Sequence, residues 1–151
     1  KYEKKNIPLL IKVSPDISDS SIPEIVNVAT ENGVSAIILT NTTNGHRDKL
    51  INQKKIEKGG LSGEPIQKIS TNMIKKFYKL LNGKIPIIGV GGVNSGKSAY
   101  EKIIAGASLL QLYTGFVYRG PSTAKEIKKE LIQILKSEGI KNIKDAIGKG
   151  I

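Results

Sequence analysis

The stretch Ile85-Pro86-Ile87-Ile88-Gly89-Val90-Gly91-Gly92-Val93-Asn94-Ser95-Gly96-Lys97-Ser98 decides how the rest of the chain is read. A short apolar run predicts a buried strand, and it passes directly into a glycine-rich turn that opens a helix. Such a turn suits an anion. Glycine lets backbone approach closely, and the first N–H groups of the helix are unpaired at the positive end of its dipole. Three readings are open here. Gly91 to Ser98 matches G-x-x-x-x-G-K-S, with Gly96, Lys97 and Ser98 in the places of a nucleotide-binding loop. Alternatively, the amides of Gly91 and Gly92 hold a flavin or sugar phosphate near the carboxyl end of a barrel strand. In the third reading the turn holds nothing and only reverses the chain.

Upstream, Pro8-Leu9-Leu10-Ile11-Lys12-Val13-Ser14 reads as a strand buried on both faces, interrupted by Lys12. That lysine either snorkels to solvent or aims a fixed charge at an anion in the strand-end crevice. Ser21-Ile22-Pro23-Glu24 has capping-box spacing and opens a helix running to Gly33. Ser35 to Thr40 is a second buried strand, ending in Thr40-Asn41-Thr42-Thr43, an amide and hydroxyls placed to bind a small polar molecule or to form a turn. Asn44 to Glu64 is a long polar connection carrying His46 and Arg47, long enough to be a lid or ligand loop, with His46 a solvated loop residue.

Pro65 begins a helix whose stripe Ile66, Ile69, Met73, Ile74, Phe77 and Leu81 is core packing, closed by Gly83. After the glycine turn, Ser95 or Ser98 caps a helix with Ala99, Ile103 and Ile104 inward. Ser108 to Tyr113 is the last strand. Ser122 caps a long helix with Ile127, Leu131 and Ile134 on one face, and Asn142 to Ile147 is a short amphipathic tail. Alternating strands and helices predict an α/β fold on a parallel sheet, either a small doubly wound domain or half of a barrel; periodicity does not choose between them.

Composition narrows the chemistry. At 151 residues the chain is one domain's worth, short of the roughly 250 residues of a complete eight-stranded α/β barrel. Without cysteine it has no disulfide, thiolate nucleophile or thiolate metal site, and the single histidine leaves little for a metal cluster. The 24 basic and 13 acidic residues give +11, favouring anionic partners. The lysines are nevertheless spread over nearly every helix, with Lys4-Lys5 and Lys54-Lys55 the close pairs outside them, and no basic–aromatic stripe points to nucleic acid. Lys1-Tyr2-Glu3-Lys4-Lys5 lacks the apolar core of a signal peptide, and no run approaches a membrane span.

Five segments carry a family resemblance: Leu9 to Asp16, Thr40-Asn41-Thr42-Thr43, Lys58-Gly59-Gly60-Leu61-Ser62-Gly63-Glu64-Pro65, Pro86 to Val93, and Gly106-Ala107-Ser108-Leu109-Leu110-Gln111-Leu112-Tyr113-Thr114-Gly115. Their order and spacing resemble dihydroorotate dehydrogenase over essentially the whole chain. The resemblance implies an FMN-binding (β/α)8 barrel of which residues 1–151 are the last four βα units, the carboxyl-terminal half. Tyr113-Thr114-Gly115 resembles the membrane-associated, quinone-reducing class, with Thr114 where serine is more common.

By position, the resemblance implies that Lys12, Thr40 and Gly63 contact the flavin, and that Asn41 and Thr42 hydrogen-bond dihydroorotate or orotate. Gly91, Gly92, Tyr113 and Thr114 would bind the FMN phosphate, and the Gly96-Lys97-Ser98 spacing becomes a coincidence. It further implies a serine base and more flavin contacts on an upstream half that also forms the quinone entrance. That half would be peripheral on the bacterial inner membrane, at its cytoplasmic side. No catalytic base is therefore assigned in these residues, no metal or nucleic acid is expected, and the isolated chain is expected to be inactive and poorly folded.

Overall fold

The computed structural model describes residues 7–151. The Lys4-Lys5 pair and the Lys1–Lys5 stretch lie outside the described residues. Four strands, β1 (Leu10–Val13), β2 (Ala36–Leu39), β3 (Ile87–Val90) and β4 (Ala107–Gln111), alternate with α1 (Ile22–Glu31), α2 (Gln67–Leu81) and α3 (Gly96–Ile104). A short α4 (Thr114–Arg119) and a long α5 (Thr123–Ser137) follow β4. The strands pair in parallel in the order β1-β2-β3-β4. A doubly wound sheet reverses its strand order at a switch point. This one never reverses, so of the two architectures left open by periodicity it is the arc of a barrel.

Register divides the sheet into two unlike faces. Val13, Leu39, Gly89 and Leu110 lie side by side on one, with Ile11, Ile37 and Ile87 below them. Val26 and Ala29 of α1 and Ile74 and Phe77 of α2 pack onto that face, and α3 and α5 close over Leu110. Burying each such side chain contributes about 1.5–3 kcal/mol relative to exposure, so this side holds the fold together. Lys12, Ile38, Ile88 and Leu109 line the other face, where Leu10 is 40% and Leu109 63% exposed. The expectation that β1 is buried on both faces is corrected: its apolar composition says nothing of which neighbour covers each face, and here only the helix side is covered.

Local chemistry explains further departures. Ser21 occupies the N-cap of α1 but caps nothing, because Ser18 Oγ engages the hydroxyls of both Ser20 and Ser21 at 2.8 Å. Ser122 stands at the N-cap of α5, yet its hydroxyl donates to Glu126 Oε1 at 2.6 Å rather than accepting a backbone N–H. Pro65 lies in a 3-10 turn (Glu64–Ile66), and α2 itself starts at Gln67 and ends on left-handed Asn82. The helix α4 has no counterpart in the sequence expectations. Ser95 and Ser98 do form a reciprocal capping box at the start of α3. Among the described residues no helix is long and apolar enough to cross a membrane.

Candidate functional site

The carboxyl ends of all four strands open into one cleft of about 860 Å³. Lys12 enters it from β1, Thr40, Asn41 and Thr42 from the segment after β2, Gly91 and Gly92 from the turn after β3, and Tyr113 and Thr114 from the end of β4. Gly63, in the long connection, closes the ring. All nine residues singled out from the sequence therefore line a single cavity. Thr40 is buried, whereas Lys12, Asn41, Thr42 and Tyr113 are exposed. Lys12 and Arg119 are the basic residues of the lining and Glu64 the acidic one, a balance that suits an anionic ligand.

The glycine turn is shaped from behind by α2. Gly91 and Gly92 have φ of +109° and +75°, angles that side-chain-bearing residues rarely adopt. A Cβ on Gly91 would lie 3.1 Å from Ile66 and Ser70, and one on Gly92 only 2.4 Å from the Cβ of Gln67. The backbone is thus pressed onto the helix, and the amides of Gly91 and Gly92 find no acceptor among the described residues. Unpaired donors at a bend lining a cleft form a backbone concavity for an anion. The carbonyl of Val90, just before the turn, accepts from Ser70 Oγ and, at 3.2 Å, from Thr40 N–H. Those bonds tie the ends of β2 and β3 together.

The nearby Gly96-Lys97-Ser98 turn is different. Gly96 N–H donates to the carboxylate of Glu130, and a Cβ at Gly96 would sit 2.3 Å from the Cβ of Glu130. Ser98 N–H is taken by Ser95 Oγ, Ser98 Oγ accepts from Asn94 and Ser95 N–H, and Lys97 is exposed. A protein carboxylate already holds the place a nucleotide phosphate would need.

Several residues that shape the cleft were not singled out in advance. The carboxylate of Asp16 accepts from Thr43 Oγ1 and, at 2.9 Å, from Asn44 N–H, fixing the segment that carries Asn41 and Thr42. The long connection is internally braced: the Arg47 guanidinium donates to the carbonyls of Lys55 at 2.8 Å, of Glu57 at 2.6 Å and of Gly59. Thr43 and Leu61 form an antiparallel bridge, and Ser62 Oγ meets Thr114 Oγ1 at 2.8 Å, so the loop lies over the cleft's rim. His46 is exposed. Arg119 donates to the Asn94 carbonyl and pairs with Glu126 at 2.7 Å.

Lys102, one of many helix lysines in the sequence, is fully buried. Its Nζ donates to Ser70 Oγ at 2.9 Å, Thr71 Oγ1 at 3.2 Å and the Gln67 carbonyl at 3.5 Å. Burial pulls its pKa from the ordinary 10.5 down to about 8, against the opposing pull of the nearby Glu101 carboxylate. The available signal was helical phase: Lys102 falls three residues after buried Ala99 and beside buried Ile103, on the inward stripe.

A family model described as dihydroorotate dehydrogenase matches residues 1–135. A relative from Arabidopsis thaliana, named dihydroorotate dehydrogenase (quinone), mitochondrial, is 48% identical over 142 residues, 93% of this chain and 31% of its own length. One from Azorhizobium caulinodans, named dihydroorotate dehydrogenase (quinone), is 44% identical over 144 residues, 95% of this chain and 40% of its own. The crystal structure of a ligand-free type DHODH from Eimeria tenella superposes with a TM-score of 0.90 at 43% identity, covering 93% of this chain and 39% of that one. The chain thus spans 31% to 40% of the length of these relatives. With matching sequence across residues 1–135 and the same run of parallel βα units, the chain belongs to the dihydroorotate dehydrogenase family.

Proposed function

We propose that residues 1–151 are the carboxyl-terminal half of a quinone-dependent dihydroorotate dehydrogenase of pyrimidine biosynthesis, and that the cleft holds FMN. The observation that carries this reading is the convergence, in one cavity, of the exposed lysine of β1, a polar strand-end cluster and two glycines whose amides have no acceptor among the described residues. FMN, when bound there, would supply the hydride acceptor for oxidation of dihydroorotate to orotate, with loss of a proton, and the carrier of the two electrons to a quinone.

Each residue then has a task its chemistry fits. The amides of Gly91 and Gly92, with the first turn after Tyr113 and Thr114, hold the phosphate. The Lys12 ammonium would hold the flavin ring by offsetting negative charge on it, and Thr40 and Gly63 would contact it. Asn41 and Thr42 hydrogen-bond the pyrimidine, held in place by Asp16 beneath their loop. The Arg47-braced connection excludes water from one side. The proton acceptor and the quinone entrance belong to an upstream half that covers the exposed sheet face. Through that half the complete protein lies peripherally on a quinone-bearing membrane, such as the bacterial inner membrane.

Reconstitution tests this. Co-expressed with an upstream barrel half from a relative, the chain should retain FMN and reduce a soluble quinone with dihydroorotate. Alone with FMN and dihydroorotate it should not turn over. Turnover by the isolated chain would sink the assignment of the base to the upstream half, and a reconstituted barrel without flavin would sink the cofactor.

A further inference from the structure

A buried ammonium is costly unless something compensates it, and Lys102 forms no ion pair among the described residues. It is not needed to satisfy its neighbours either. Ser70 Oγ donates to the Val90 carbonyl, and Thr71 Oγ1 donates to the Gln67 carbonyl at 2.8 Å, so both hydroxyls and that carbonyl keep partners without it. Its location is informative. The two α2 residues that Lys102 engages at the turn, Gln67 and Ser70, are those against which Gly92 and Gly91 are pressed. Through Ser70 it also reaches the Val90 carbonyl, which Thr40 N–H holds from the other side.

We propose that Lys102 is a positioning residue of the phosphate grip: it locks Gln67 and Ser70 so that Gly91 and Gly92 keep their amides open to the cleft, and it places a buried positive charge behind the bound phosphate. This role rests on the FMN reading of the cleft. Because Ser70, Thr71 and the Gln67 carbonyl keep partners without Lys102, an apolar replacement leaves no buried group unpaired, and it separates what the ligand needs of the lysine from what the fold needs.

The test uses the complete protein stripped of its flavin and compares FMN with riboflavin, which lacks the phosphate, by fluorescence titration of that apoprotein. Lys102→Met should lower FMN affinity about tenfold and leave riboflavin affinity within about twofold, with the apoprotein melting no lower than wild type at pH 7. Ser70→Ala cuts the link to Val90 without changing charge and should lower FMN affinity about threefold, again sparing riboflavin; it decides the matter should Lys102→Met fail to fold. FMN and riboflavin affinities that fall together, or an FMN preference unchanged in these variants, overturn the role of Lys102 while leaving the FMN reading intact. A wild-type protein that binds riboflavin as tightly as FMN would remove the phosphate grip itself, and this role with it.

Discussion

Two glycine turns follow one another along the same stretch, Gly91-Gly92 and Gly96-Lys97-Ser98, and they are electrostatic opposites. The first leaves its amides open and has a buried cation, Lys102, behind the helix residues that support it. The second has its first amide filled by the Glu130 carboxylate and its third by Ser95, while its lysine stands in solvent. The phosphate-loop spacing that begins at Gly91 takes its Gly-Lys-Ser from the second. The contrast teaches that a glycine pattern is open to an anion only while its donors are free, and that a neighbouring acid can fill them.

The largest effect should come from closing the first turn. A valine at Gly92 would need φ near +75°, with its Cβ 2.8 Å from the Cα of Gln67, a backbone atom that cannot swing away. Gly92→Val should destabilise the fold by about 3 kcal/mol. In the reconstituted protein it should lower FMN affinity on the order of 100-fold. Thermal melting and flavin fluorescence report the two effects separately, and flavin retained at wild-type affinity would mean the first turn is not the grip.

What the sequence disclosed and what it hid follow the range of the interactions involved. The β2 and β3 cores, the glycine turn and the Thr40-Asn41-Thr42 cluster depend on local period and composition, and each was legible. The two-sided burial expected of β1 was not, since an apolar run such as Leu9 to Val13 does not specify which of its faces is covered. Glu130 reaches Gly96 across 34 residues and Asp16 reaches Thr43 across 27, separations at which no spacing rule operates. The failed cap at Ser21 is local but competitive: a second serine, Ser18, offers a better partner for its hydroxyl. Lys102 alone among the hidden residues left a trace, in its helical phase.

A smaller effect is expected from emptying the second turn. Glu130→Ala removes a charge-assisted hydrogen bond to Gly96 N–H and an acid beside the N-terminus of α3. That should cost about 2 kcal/mol of stability, read as a lower denaturation midpoint. FMN affinity should stay within about twofold, because Glu130 does not line the cleft. A parallel loss of flavin would mean that the two turns are coupled through α3 and are not independent devices.

The smallest effect belongs to Lys97, the residue on which a nucleotide reading would depend most. It is exposed, and no hydrogen bond or ion pair engages it among the described residues. Lys97→Ala should therefore change stability by no more than about 0.5 kcal/mol and leave FMN affinity unaltered. It should also leave calorimetric titration with ATP as featureless as in the wild type once salt screens the general attraction of a +11 chain for anions. Screening matters to that outcome, since at low ionic strength any of 24 basic residues could contribute weak binding that no single substitution removes. An ATP signal that survives high salt and disappears with Lys97 would reverse the assignment of the two turns, because it would require Glu130 to yield Gly96 to a phosphate.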